Sequence, residues 1–435
     1  MKRLYMAGAL AAILLFAAAV PLSGAAPLPS ATPESVGMSS ERLAKLGVAF
    51  QAAIAAREFP GVVIMVARDG KLIYSRALGE LRPGGGAMPE RAIFRIYSMT
   101  KPLVSVAAML LVEDGAIQLA DPVGTYLPGF DQMEVSVPME NWRGPGYRSV
   151  PASRAMTVQD LLRHTSGLTY AEITTNQPVK DGYAAAGMFD ESVPFDSRAA
   201  SPEAQVAGIA EAPLAYHPGT VWHYGISTDI LGRVVEVASG QRLDDFMQQR
   251  LFGPLGMTDT GFWVPGDRLA RLVEPFETDA RTGKPILLID VSARPGNDSG
   301  GAGGVSTVGD YLRFCQMLLN GGTLNGTRVM SRTTVRWMTS NHLGPEIELP
   351  FQPSELLLGT KGYTFGLGFA VRREDGLAGV PGSAGDFTWG GYAGTFFWVD
   401  PTERLTAVLM TQAPGPRRTH YRKLTRQLVY QAIVD

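Results

Sequence analysis

Cysteine is almost absent: the single Cys315 excludes an internal disulfide and any site built on several thiolates. It lies in the helical run Asp310–Leu319, where a lone thiol reads as a small buried hydrophobe. Histidine is scarce too. The five, at 164, 217, 223, 342 and 420, show neither His-x-His nor His-Glu-x-x-His spacing, so no zinc site is implied. Charge of one sign is also lacking: 39 Lys and Arg against 41 Asp and Glu leave -2, which gives no footprint for nucleic acid. Past the N-terminus no apolar run reaches the ~20 residues that span hydrocarbon. What is present is ample for a buried core, 435 residues of which 45% are hydrophobic and 18% charged.

The N-terminus carries an address. Lys2 and Arg3 precede the apolar run Met6–Val20, and Ser23 and Ala25 are spaced as a small-x-small cleavage site. Residues 1–25 are expected to be a signal peptide, and the mature chain to be periplasmic or secreted, without a stable membrane span.

Beyond this leader, apolar residues at Leu43, Leu46, Val48, Ala49, Ala52 and Ile54 predict an amphipathic helix over Ser39–Arg57. Two β-rich runs, Gly61–Arg68 and Lys71–Ala77, flank Asp69-Gly70 and predict a hairpin. From Ser98 to about Asn341 the pattern turns helical, broken by long loops at Asp131–Arg154 and Thr169–Pro213. Short strands return at Phe365–Val371, Asp386–Trp389, Gly394–Asp400 and Leu405–Thr411, before a closing helix over Thr419–Ile433. The expected fold class is α/β of the α+β type. One antiparallel sheet, 26–97 and 343–435, is built from both termini and flanked by helices, and a mostly helical domain, 98–342, is inserted between. In the closing helix Arg417, Arg418, Arg422, Lys423 and Arg426 read as a solvent face opposite Leu424, Leu428 and Val429.

The sharpest local feature is Ser98-Met-Thr-Lys101-Pro102 ahead of the apolar run Leu103–Val112. If Ser98 opens this helix, Ser98 and Lys101 share one face at i and i+3. Pro102 is tolerated there because first-turn N–H groups have no intrahelical partner. A serine hydroxyl is a poor nucleophile at neutral pH and needs a base within hydrogen-bond reach, which a lysine withdrawn from water can supply. The helix N-terminus adds amides where negative charge develops. Two further segments carry polar groups at element starts: Tyr224-Gly-Ile-Ser227 leads into a helix over Asp229–Ala238, and Trp389-Gly390-Gly391-Tyr392 sits at a strand. Glycines there allow a substrate to approach the backbone closely.

Taken in order, these segments resemble the serine β-lactamase and penicillin-binding-protein superfamily. More narrowly they resemble its class C-like branch, which includes family VIII carboxylesterases. The resemblance spans about residues 34–430 and includes Leu161–Leu168, Pro218-Gly-Thr220, Phe252–Met257 and Gly300–Ser306. It implies that Ser98 is acylated, that Lys101 takes its proton, and that Tyr224 assists transfer to the leaving group. It further implies an oxyanion hole from the backbone amides of Ser98 and Tyr392, and substrate contacts from Trp389, Gly390, Gly391 and Ser227. No metal or other cofactor is implied. The partner is a small-molecule ester or amide, and the sequence carries no signal for oligomeric state.

Two departures bear on substrate. Ser227 stands where many relatives have the Asn of Tyr-x-Asn, and Trp389-Gly-Gly replaces Lys-Thr-Gly. Indole has one N–H donor and no charge, so the chain is expected to prefer esters lacking the lactam carboxylate. The Trp-Gly-Gly variant is similar to that of family VIII esterases. Rival readings are an amidase or D-peptidase, a weak β-lactamase, and a non-catalytic binding homologue. A Ser-His-Asp arrangement lacks its Gly-x-Ser-x-Gly elbow, since Thr165-Ser166-Gly167 has no first glycine; His164 is expected to brace a loop and His223 to line the cleft.

Overall fold

The computed structural model describes residues 27–141, 144–188, 192–279 and 281–435. The expected signal peptide lies outside them.

The two Asp-Gly residues predicted to close a hairpin have φ of 55° at Asp69 and 71° at Gly70, both left-handed as a two-residue turn with the strand twist requires. They join β1 (Gly61–Arg68) to β2 (Lys71–Gly79). The other five strands of the sheet come from the far end of the chain: β3 (Tyr363–Phe365), β4 (Ala370–Arg372), β5 (Phe387–Gly390), β6 (Phe396–Asp400) and β7 (Leu405–Thr411). The order is β2-β1-β7-β6-β5-β4-β3, every pairing antiparallel. Val62 opposite Thr411 through Arg68 opposite Leu405 splices the two ends together. Every residue of β1 and β7 is buried, as a strand covered on both faces must be.

One expected strand is two. Phe365–Val371 folds back on itself because Gly368 takes φ of 95° and a Cβ at Gly366 would lie 2.1 Å from the Met338 carbonyl oxygen. Both long loops carry structure of their own, a hairpin of Glu134–Asn141 with Gly144–Pro151 and short helices at Gln177–Ala185 and Pro202–Glu211.

Helix α1 (Ser40–Ala55) is capped by the Ser39 side chain, which accepts from Arg42 N–H, and packs beside the closing helix. The insert centres on α2 (Thr100–Glu113), buried from Thr100 to Leu111 and packed on α3 (Ser227–Ser239). Helix α4 (Val308–Leu319), which the sequence groups with the insert, lies against β7, β6 and β1. Cys315 is buried on it, with its thiol pushed up by burial.

The closing helix α5 (Arg417–Tyr430) corrects its expected polarity. Arg422 and Arg426 are fully buried rather than solvent-facing. Arg426 and Arg372 both reach the buried Asp386 carboxylate, at 2.5 and 2.7 Å. A buried carboxylate needs such partners to offset its desolvation. No described helix is long and apolar enough to cross a membrane.

Candidate active site

Ser98 does not open the α-helix. It sits one step earlier, in a 3-10 turn over Tyr97–Met99 that feeds α2. Tyr97 holds φ of 45°, a costly backbone for a bulky residue. The strain is held from outside the turn: Tyr97 Oη accepts the Ile289 N–H at 3.0 Å, and its ring lies 5.4 Å from that of Tyr392. Directly behind, a Cβ at Gly391 would lie 2.2 Å from the Ile96 carbonyl oxygen, so the chain leaving β5 passes the Ser98 turn at a distance only glycine permits.

Lys101 is buried and its Nζ faces three acceptors: Ser98 Oγ at 3.4 Å, Tyr170 Oη at 2.8 Å and the Gly301 carbonyl at 2.8 Å. Three acceptors around one amino group hold the Lys101 head in place beside Ser98. The Gly301 carbonyl is itself fixed. Asp229, in the first turn of α3, accepts the Gly301 N–H at 3.1 Å and Ser299 Oγ at 2.6 Å, and a Cβ at Gly301 would strike its carboxylate at 2.1 Å. Tyr224 donates its hydroxyl to Ser98 Oγ at 2.6 Å, and Lys101 Nζ stands 4.7 Å from the centre of its ring. Tyr170, with its phenol pushed well up by burial, is a neutral partner in this group. Sequence reasoning had no local signal for its contact with Lys101.

Two backbone donors stand free. Among the described residues neither the Ser98 nor the Tyr392 N–H has a protein acceptor, while the neighbouring Gly391 N–H donates to the Thr395 carbonyl at 2.9 Å. Ser98's is one of the orphan donors of a helix start.

The cleft over Ser98 has a volume of about 180 Å³, walled by Ile173, Phe195, Leu356, Leu357 and Trp389. Trp389 is both a packing residue and a wall of the cleft. Its ring packs 5.3 Å from Tyr224 and 5.2 Å from Phe365, it is almost fully buried, and it still forms part of the wall. The cleft is not without cations, as the loss of the motif lysine suggests. Arg418 and Arg422 reach it from α5, with Arg418 Nη1 donating to the Tyr392 carbonyl at 3.0 Å.

Ser227 does not face the cleft. It is fully buried and pairs with Ser166 Oγ at 2.9 Å, because the turn into α3 points it into the insert. His223 also misses the cleft; its ring lies between Tyr216 and Phe351 and its Nδ1 is 3.0 Å from Thr169 Oγ1. His164 is buried with its ring 5.1 Å from that of Tyr224, and burial holds it well below the usual histidine range, hence neutral. Among the described residues no histidine contacts Ser98.

The sequence matches the Beta-lactamase family model over residues 48–431. Esterase EstB of Burkholderia gladioli is 31% identical over 391 residues, covering 85% of this chain and 90% of that protein. Among solved structures, EstCE1, "a hydrolase with promiscuous acyltransferase activity", superposes with a TM-score of 0.72 at 26% identity over 90% of this chain and 99% of that one. Simvastatin synthase of Aspergillus terreus shares the fold, with a TM-score of 0.74 at 24% identity over 90% of this chain and 98% of that one. The chain thus belongs to the beta-lactamase family, in the esterase-like branch of the serine β-lactamase and penicillin-binding-protein superfamily, and is a serine hydrolase.

Proposed function

We propose that the chain cleaves carboxylic esters through an acyl-enzyme on Ser98. The observation that carries this reading is the short contact of Tyr224 Oη with Ser98 Oγ, 2.6 Å, beside a lysine at 3.4 Å. The Lys101–Tyr224 pair acts as base when it starts one proton short, as amine with phenol or ammonium with phenolate, and it takes the Ser98 proton as Oγ attacks the ester carbonyl. Lys101 is the base of the sequence reading, and the phenol oxygen is the nearer atom and the relay to the leaving group. The carbonyl oxygen gains charge and is held by the Ser98 and Tyr392 N–H groups, a role worth about 3 kcal/mol per donor. The tetrahedral adduct then expels the alcohol, which takes the relayed proton. Water attacks the acyl-enzyme in turn, gives its proton to the same pair, and releases the acid.

The substrate side is argued from charge. Trp389 brings none, and Arg418 is turned onto the carbonyl and ring of Tyr392. We infer slow lactam turnover beside ester turnover, and a cephalosporin hydrolysed as efficiently as a short acyl ester would overturn that preference. A second reading, acyl transfer to an alcohol, draws on EstCE1, a hydrolase with promiscuous acyltransferase activity. Added alcohol should then divert product from acid to a new ester. The segment Met6–Val20 behind Lys2 and Arg3 supports export, which N-terminal sequencing of the mature protein tests.

Intact-mass measurement after exposure to a panel of esters, a D-Ala-D-Ala peptide, a cephalosporin and a fluorophosphonate tests the nucleophile and the leaving-group class together. A mass gain that vanishes in Ser98→Ala is the expected result. Absence of any adduct on Ser98 would favour a non-catalytic binding homologue.

A further inference from the structure

Arg422 is fully buried in α5, and among the described residues no carboxylate lies within 4 Å of it. A cation left in the interior without an anion costs several kcal/mol unless something else uses it. Its hydrogen bonds all go to carbonyls: Nη2 donates to Gly391 at 2.5 Å and to Thr395 at 3.2 Å, and Nη1 to Leu357 at 3.2 Å, while the guanidinium carbon lies 5.7 Å from the centre of the Phe396 ring. The Gly391 carbonyl belongs to the same peptide unit as the Tyr392 N–H. No peptide in the described chain is cis, so the C=O and the N–H of that unit point in opposite directions. A guanidinium fastened to the oxygen therefore fixes where the hydrogen points. It also draws electron density toward the oxygen, which makes the N–H a stronger donor. The N–H so aimed is the one left without an acceptor beside Ser98.

We propose that Arg422 is a positioning residue that sets and polarises the Gly391–Tyr392 peptide, so that Tyr392 N–H is presented to the oxyanion. The inference rests on the oxyanion role given to Tyr392 above. A buried cation is retained here for the transition state, in which charge appears on the far side of the peptide it grips.

The test pairs Arg422→Gln and Arg422→Lys with replacement of Tyr392 by its α-hydroxy acid, which turns the Gly391–Tyr392 amide into an ester and deletes the N–H. Near-UV circular dichroism and thermal melting check the fold, and Arg422→Lys keeps the test open if Arg422→Gln does not fold. For a short p-nitrophenyl ester, Arg422→Gln should lower kcat about 100-fold with KM changed less than about threefold, and Arg422→Lys should fall between. The inhibition constant of an alkylboronic acid, whose adduct carries the oxyanion, should rise in step with the fall in kcat/KM. The 392 ester should lower kcat similarly, and adding Arg422→Gln to it should cost little more. If the 392 ester lowers kcat and Arg422→Gln does not, or if their losses simply add, the Arg422 inference is overturned and the oxyanion reading stands. If the 392 ester leaves kcat unchanged, the oxyanion reading falls and the inference falls with it.

Discussion

Tyr224 Oη is nearer to the Ser98 hydroxyl oxygen than Lys101 Nζ is, 2.6 against 3.4 Å, although Lys101 is three residues away in sequence and Tyr224 is 126. Tyr224→Phe should therefore lower kcat by about 100-fold or more while leaving KM nearly unchanged, since a relay acts in the transition state. Steady-state kinetics on a chromogenic ester checks this. A kcat within twofold of wild type would mean that Lys101 alone moves the proton.

Tyr170 shares the ammonium of Lys101 at 2.8 Å. Tyr170→Phe removes one of the three acceptors around the buried Lys101 amino group and should cost about 1 kcal/mol of stability, which urea unfolding measures. Steady-state kinetics on a chromogenic ester should show kcat lowered with the fold retained, because the Lys101 head loses one of the contacts that hold it beside Ser98.

His164 contributes to the pH dependence of stability in the same sense as the buried His223 and His342, against Asp244 and Asp310, which burial raises to about 6. Burial lowers its pKa in the folded chain below the ordinary 6.5. Below that value the unfolded chain takes up a proton that the folded chain refuses, so the stabilising contribution is complete above about pH 6.5 and is lost as pH falls toward the folded pKa. The thermal midpoint should drop between pH 7 and 5. His164→Asn, a residue that tolerates the local φ of 57°, should flatten that slope. An unchanged slope would locate the titrating group elsewhere.

Asp160 has no exposed side-chain surface and meets Arg154 at 2.6 Å and Arg163 at 3.1 Å, while closing a capping box with Thr157. It also accepts Thr165 Oγ1 at 2.8 Å, at the start of the Thr165-Ser-Gly turn. Asp160→Asn leaves two guanidinium groups short of their anion and should cost about 3 kcal/mol. Urea unfolding measures it.

Cys315 should not react with a thiol reagent in the native enzyme, because the thiolate is the reactive form and burial disfavours it. One equivalent should react after unfolding.

Much of the fold was legible because it is encoded locally. The Asp69-Gly70 hairpin, the Ser39-capped α1 and the return of short strands near the C-terminus each rest on periodicity or turn chemistry within about twenty residues. The splitting of Phe365–Val371 was not, since Gly366 is dictated by the Met338 carbonyl pressed against it, a neighbour far away in sequence. Ser227 was misjudged for the same reason. Its place after Tyr224 says that it lies near the site, and only the turn into α3 decides that it faces Ser166.

The sequence by itself determined the order of the parts: a serine and a lysine one helical turn apart, a tyrosine ahead of a helix, and glycines on a late strand. It did so because spacing along one element fixes which side chains share a face. Only the tertiary structure decided what surrounds them. Tyr170, the Gly301 carbonyl and the two arginines of α5 reach the centre from segments about 70 to more than 300 residues away. A helix pattern can count arginines on a face, but whether that face meets solvent or a peptide carbonyl depends on what the rest of the chain packs against it.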